Sequence, residues 1–530
     1  MIQMPSIHWI VLLPEVIFAG ASLALLLASA LVRGRLSRTV GTGVVVGACV
    51  AVLVDCVIQW RDIVVHGPTT TAAHAVVEDG FAVVMVGVLA VSLLLSALVA
   101  DGWLKREGIG GVELHVLALA SATGAVLMAQ ANDLVVIFLG LEILSIGLYV
   151  LTAFDRRSSR SGEAAMKYFI LGGFASAIFV YGIALVYGAT GTTQLTQLAD
   201  FLAHNNLHSA GLLLAGVALL LVGFAFKVAA VPFHAWSPDV YEGAPSPVTG
   251  FMAAIVKAGA FAAVLRVLAS AMWTQQSGWR PMVWALAALS MLVGAGLASV
   301  QRNVKRLLAY SSVSHAGFIL MGLWAASARG TSASLYYLAV YSLLVIGSFA
   351  VVTVVSANGR EDLTDYRGLG RRRPWLAASF TILLLAQAGV PFTTGFLAKL
   401  SVIEAALSDV GAPGVVLAVI AMLATAIGGY FYLRLVVLTY SPAPDDVAPP
   451  AAVPARATAR LSAVGAGILV DDDRDGESED RSETPGADEV SVPVATAVAI
   501  GLCVVPTVVL GIWAGPLADL TTRAVMLFHP

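Results

Sequence analysis

Six lysines occur in this chain of 530 residues, and four of them, Lys167, Lys227, Lys257 and Lys399, fall inside long apolar segments. One acid, Glu142, shares that setting, while the 24 arginines sit almost entirely in polar stretches. Arginine stays charged in a protein, whereas a desolvated lysine can take up and give back a proton. An ionisable side chain at the centre of a bilayer costs about 2.5–3.5 kcal/mol on insertion scales and marks a functional path by default. Residue type and placement together point to a proton route built on lysines. His315, in YSSVSHAGF, lies among hydroxyls and can exchange protons near neutral pH, though a hydrogen-bonded packing histidine fits the same pattern. Lys167 is the least secure member, because Glu163 four residues before it offers a local pair.

The elements that carry these residues are membrane helices. A chain with 58% hydrophobic and 12% charged residues and a mean hydropathy of +0.87 is excluded from the soluble globular class. Apolar runs of bilayer-spanning length give fourteen expected spans, near 7–31, 39–59, 80–100, 112–130, 133–154, 163–188, 210–231, 246–270, 282–300, 305–326, 332–356, 374–408, 413–439 and 491–516. The alternation of a transmembrane β-barrel is missing, so the expected class is an all-α polytopic membrane protein. No basic residue precedes the first apolar run, which is therefore expected to be retained as a span. Cys49, Cys56 and Cys503 are isolated and read as packing residues. No metal-ligand spacing, nucleotide-binding glycine loop, CxxC pair or HExxH motif appears, and no nucleic-acid partner is expected.

Charge bias sets an expected topology. The loops after spans 1, 3, 5, 9 and 11 carry sixteen Lys and Arg, and those after spans 2, 4, 6, 8, 10 and 12 carry only Arg61, Arg280 and Arg329. The positive-inside rule makes the first set cytoplasmic and leaves both termini on the other side. Residues 441–490 differ in kind, opening Pro/Ala-rich and closing on ten acids against two arginines, which reads as a disordered cytoplasmic loop.

Two spans carry a break. Span 12 is too long for one straight crossing and contains Gly389-Val390-Pro391-Phe392-Thr393-Thr394-Gly395, while span 7 contains Ala230-Val231-Pro232-Phe233-His234, its proline 159 residues earlier. Paired interruptions suggest an internal repeat with a site at mid-membrane. Lys227 then falls in the last turn of one half-helix, where the dipole favours a cation, and Lys399 in the first turn of another, where it opposes one. Glu142 lies nine residues after Asp133, about 13 Å along a helix and beyond snorkelling reach, so Lys227 is its expected partner. Lys257 is equally central, with no acid in its own helix.

The segments GLEILSIGLYVL, EAAMKYFILGGFAS, GFAFKVAAVPFHAWSPDVYEGAPSPVTGFMA, NVKRLLAYSSVSHAGF and GVPFTTGFLAKL resemble the antiporter-like membrane subunits of respiratory NADH:quinone oxidoreductase (complex I), over roughly residues 112–440. PDVYEGAP favours the branch called subunit N over its sisters L and M. The resemblance implies fourteen transmembrane helices, with an N-terminal three-helix segment at 1–111, two inverted five-helix repeats at 112–270 and 282–440, broken helices 7 and 12, and a C-terminal helix within 491–530. It implies that Glu142 pairs with Lys227, that Lys257 links the halves and that Lys399 is the terminal proton site. It further implies no cofactor on this chain, with NAD, FMN, iron-sulfur clusters and quinone in partner subunits of a hetero-oligomer in a bacterial cell membrane. A multi-subunit cation/proton antiporter or a membrane-bound hydrogenase is the alternative of the same fold, and a scaffold using buried charge only for packing is the alternative of another class.

Overall fold

The structure is a computed structural model that describes residues 7–32, 36–205, 210–356, 359, 361–408, 411–442 and 492–528. The expected loop at 441–490 lies outside the described residues apart from its first two. In chain order come α1 (Leu13–Leu31) and α2 (Arg38–His66), a hairpin of β1 (Thr69–Thr71) and β2 (Val76–Glu78), then α3 (Gly80–Arg106), α4 (Glu113–Gln130), α5 (Leu134–Thr152) and α6 (Ser159–Thr190). A short α7 (Leu195–His204) leads to α8 (Ala210–Lys227), α9 (Trp236–Gly243), α10 (Ser246–Ala271), α11 (Gln276–Ser299), α12 (Val304–Trp324) and α13 (Ala328–Val355). The last part holds α14 (Pro374–Ala388), α15 (Thr394–Leu407), α16 (Ala412–Tyr440), α17 (Val494–Ile512) and α18 (Gly515–Met526).

Among the described residues thirteen helices are long and apolar enough to cross a membrane, so the chain is an all-α polytopic membrane protein. The expected twelfth span is present as two shorter helices, α14 and α15. The helix starts are fixed by side chains that accept otherwise orphaned backbone N–H groups, as Asp79 does from Ala82, Asp133 from Val135, Asn303 from Arg306 and Ser327 from Gly330. α10 is buried along its whole length and α12 and α13 nearly so, whereas α1, α6 and α17 turn much of their surface outward as exposed Leu, Val, Ile and Phe. The polar residues of interest therefore lie inside a shell of helices that faces lipid.

Both breaks are built the same way. At the end of α14 the N–H of Gly389 bonds to the carbonyl of Ala386 and that of Val390 to Leu385, with Gly389 in the left-handed region at φ +89°. This is the Schellman arrangement, and glycine removes its steric cost. After α8 the N–H of Ala229 bonds to Phe226 and that of Ala230 to Ala225, with Ala229 at φ +58°. The same turn is thus made with a residue that strains to make it. Gly395 serves a different end, because a Cβ there would lie 1.8 Å from the Ala386 carbonyl oxygen, so only glycine lets α15 start this close to α14.

One charge assignment made from the sequence needs correction, that of Lys305, and one buried cation, Arg266 within the expected span 246–270, is given no reading there. Arg266 lies inside α10, is 1% exposed, and grips Asp79 with both guanidinium nitrogens at 2.8 and 3.1 Å. It also donates to the Ala129 carbonyl at 3.1 Å, and its guanidinium carbon lies 5.2 Å from the ring centroids of both Phe81 and Phe528, which pack against each other. Lys305, counted as a loop cation, is 3% exposed and bonds to the Ala244 carbonyl and to Glu361. Lys305 sits at a helix start, where a count of loop charges cannot tell a solvated cation from one folded inward.

The hairpin before α3 carries a titratable group of its own. Glu78 is pushed up to about 7, first by burial, against a hydrogen bond from Thr69, and then by the negative charges of Asp62, Asp55 and Asp79. Its folded value lies above its ordinary 4.5, so the associated stability is complete below that pH and is lost as pH rises through about 7. Glu78→Gln should abolish this alkaline loss, which thermal unfolding across that range would reveal as a flatter profile. For the buried ion pair, Arg266→Met should cost about 3–5 kcal/mol by taking the guanidinium from the buried Asp79 charge, and Arg266→Met with Asp79→Asn, which removes the charge and keeps an acceptor for the Ala82 N–H, should recover part of it, as read from thermal unfolding in detergent.

Candidate proton-carrying site

Lys227 is the last residue of α8 and is 3% exposed. Its ammonium donates to the Ser145 hydroxyl of α5 at 2.7 Å and to the Tyr168 hydroxyl of α6 at 3.2 Å. Tyr168 is itself stacked on Trp236, whose indole N–H satisfies the Phe226 carbonyl freed by the end of α8. Glu142 lies one turn before Ser145 on α5 and accepts a hydrogen bond from the Ser176 hydroxyl of α6. Glu142 and Lys227 bond different hydroxyls of α5 and α6, Ser176 for the acid and Ser145 and Tyr168 for the lysine, and form no contact ion pair among the described residues. A void of about 10 Å³, close to the size of one water molecule, is lined by Ser145, Ser176 and Lys227 alike.

Lys257 is 2% exposed and follows a π-helical stretch, Met252–Val256, in the buried α10. Its ammonium donates to the carbonyl and the hydroxyl of Ser312 on α12, and the Tyr341 hydroxyl of α13 donates to the same Ser312 Oγ at 2.7 Å. His315 follows three residues later on α12, with Nδ1 2.7 Å from the Tyr337 hydroxyl and Nε2 3.1 Å from the Tyr432 hydroxyl. Tyr432, from α16, contacts the Ser311 hydroxyl and donates to Gln387 Oε1 at 3.3 Å, and Gln387 Nε2 donates to Ser348 at 2.7 Å. Lys399 closes the row, 6% exposed, with its ammonium donating to the Ala388 carbonyl at 2.9 Å and lying 5.1 Å from the Phe318 ring, which stacks on Tyr337.

The surroundings of Lys399 overturn the dipole expectation for it. It is the sixth residue of α15, past the first turn, and its ammonium reaches back to the carbonyl end of α14. That end carries the negative pole of a helix and favours a cation. Both broken helices thus offer their carbonyl ends to a lysine.

Residues 131–423 match the family described as NADH:quinone oxidoreductase/Mrp antiporter, TM. NADH-quinone oxidoreductase subunit N of Trichlorobacter lovleyi is 41% identical over 442 residues, covering 82% of this chain and 88% of that one. The chain belongs to the subunit N family. A solved chain of respiratory complex I from Thermus thermophilus with bound aureothin aligns over 96% of this chain and 98% of its own at 30% identity, with a TM-score of 0.72. A chain of the Mrp complex from Dietzia sp. DQ12-45-1b, 22% identical, shares the fold with a TM-score of 0.79 over 98% of this chain and 97% of its own.

In this chain the remaining candidates lie off the row. Lys167 is partly exposed and bonds to Glu163 at 2.8 Å and to Asp239 of α9 at 3.0 Å. Asp239 also meets Arg306, which reaches Glu242, so Lys167 belongs to a rim network joining α6, α9 and α12. Burial opposes the charge on Asp239, yet the hydrogen bonds from Lys167 and Arg306 hold its carboxyl below the ordinary carboxylate range. His234 stands at the break with its Nδ1 buried and without a partner among the described residues. Sequence reasoning missed Ser145, Ser312, Tyr432 and Gln387, whose signal was a polar residue within an otherwise apolar span. Lys167→Ala should cost less than about 1 kcal/mol, as exposed pairs do, while Lys305→Met should cost about 1–3 kcal/mol by stripping a partner from Glu361 and Ala244, both measurable by thermal unfolding.

Proposed function

We propose that this chain is the proton-translocating membrane subunit N of a bacterial NADH:quinone oxidoreductase, moving protons through Glu142, Lys227, Lys257, His315 and Lys399. The observation that carries this reading is the set of three buried lysines each held by neutral hydroxyl or carbonyl oxygens, with Ser312 joining Lys257 to Tyr341 and His315 joining Tyr337 to Tyr432. The family and the likeness to a complex I chain support the assembly it serves. NAD, FMN, iron-sulfur clusters and quinone belong to partner subunits, and redox energy reaches this chain as a change of charge or position at its edge.

Glu142 is the natural receiver of that change. Unit charges roughly 6 Å apart interact by about 3 kcal/mol at an effective dielectric of 20, enough to shift an equilibrium about a hundredfold. A carboxylate separated from Lys227 by hydroxyls can therefore bias whether Lys227 holds its proton, without contact. The proton then passes toward Lys257 and, by way of Ser312, the tyrosines and His315, toward Lys399. Within this reading residues 112–270 and 282–440 are inverted repeats centred on the two breaks, following an N-terminal segment at 1–111 and preceding a terminal helix within 491–530. The α14 and α15 pair completes a fourteenth crossing. Both termini lie outside the cytoplasm, and residues 441–490 lie inside it.

Glu142→Gln and Lys227→Met should each lower NADH-driven proton uptake into sealed vesicles by at least several-fold while the complex still assembles. Normal pumping by both variants would overturn the assignment. Recovery of NADH-oxidising flavin and iron-sulfur subunits with this chain separates the reading from that of a cation/proton antiporter, which predicts none.

A further inference from the structure

Five helices wall a groove of about 480 Å³ on the outside of the bundle, away from the lysine row. α2 contributes Leu53, Val57, Trp60 and Arg61, the first half of α3 the stretch from Val83 to Ser92, and α13, α17 and α18 the opposite wall. Apart from Trp60 and Arg61 at one end, the hydroxyls in the wall are already used by their own helices, since Ser92 donates to the Val88 carbonyl at 2.7 Å and Ser342 to that of Leu338 at 2.9 Å. Nothing is left there to bond a carbonyl, a sugar or a quinone head group, so the interior of the groove fits hydrocarbon. A Cβ added at Gly87 would meet nothing within 4 Å, so the floor is open at that point.

One end of the groove is different. Arg61 is exposed and makes no ion pair or hydrogen bond among the described residues, and the neighbouring Asp62 is engaged by His66 at 2.8 Å. The indole N–H of Trp60 also has no partner among the described residues, and an indole at that position suits the head-group level of a bilayer. From Leu53 to Arg61 is eight residues, about 12 Å of helix, close to the depth of one leaflet of a hydrocarbon core about 30 Å thick. A free cation and a free donor thus stand one leaflet's depth from the far end of an apolar slot.

We propose that this groove is a binding site for one anionic phospholipid, its phosphate held by Arg61 and Trp60 and an acyl chain lying along α2 and α3 past Gly87. The test uses the intact complex in vesicles containing a trace of photoactivatable phosphatidylglycerol or phosphatidylcholine, with labelled peptides read by mass spectrometry. Phosphatidylglycerol should label the 53–61 and 83–92 stretches in preference to phosphatidylcholine. Arg61→Gln should reduce that labelling about five-fold, the worth of one interfacial cation, and Arg61→Lys should largely keep it. Gly87→Leu, which fills the floor, should remove the labelling while Arg61 remains. Equal labelling by both lipids that ignores Arg61 would overturn the site in favour of bulk annular lipid. Crosslinking of these stretches to another subunit in place of lipid would overturn it in favour of a protein interface. Should Gly87→Leu fail to assemble, the exposed and unpaired Arg61 still decides between these outcomes.

Discussion

An ammonium group inside a bilayer has to be surrounded by oxygen, and a helix offers little of it beyond hydroxyl side chains, because most of its carbonyls are already bonded along its own axis. The architecture around the lysines follows from that constraint. Lys399 takes the Ala388 carbonyl exposed by the end of α14, and Lys227 stands at the end of α8 where hydroxyls from α5 and α6 converge. Lys257 follows a π-helical stretch and reaches a carbonyl and hydroxyl of Ser312. Helix breaks stand beside Lys227 and Lys399, and Lys399 takes a carbonyl that one of them frees, whereas Ser145, Tyr168 and Ser312 supply oxygen from unbroken helices.

The kind of oxygen separates two populations of charge. Lys167, Lys305, Arg266 and Arg306 each meet a carboxylate within 4 Å, and these contacts join elements at the rim or fix the end of α3. Lys227, Lys257 and Lys399 meet only neutral oxygens and aromatic faces. A permanent carboxylate contact would hold a proton on the lysine, whereas hydroxyls and carbonyls steady the ammonium without neutralising it. Bonding Glu142 to Ser176 and Lys227 to Ser145 and Tyr168, with no contact ion pair between them among the described residues, gives that carboxylate influence without capture.

Much of this was legible in the sequence, for reasons that differ by element. The spans follow from hydropathy, and the breaks from proline and glycine in segments otherwise long enough to cross, so Lys227 falls at a helix end as its distance from Pro232 requires. What sequence could not supply was direction. The position of Lys399 along α15 says that it lies near a positive helix end, but its flexible stem carries the ammonium to the negative end of the preceding helix. Lys305 was misplaced because hydropathy treats a cation near a span's end as wet, while here it folds inward onto partners distant in sequence, and Arg266, inside an expected span, drew no reading because its partner Asp79 is equally distant. Ser312 and Tyr432 gain their meaning only from what packs against them.

The central claim is that the row works as one proton path, with Lys257 as the link between its halves. The direct measurement is the number of protons moved per NADH oxidised in vesicles containing the intact complex with Lys257→Met. A methionine there keeps the bulk of the side chain and removes the only group that bonds Ser312 from α10. The account predicts a clear fall in that ratio, and a ratio equal to that of the unaltered complex would contradict it.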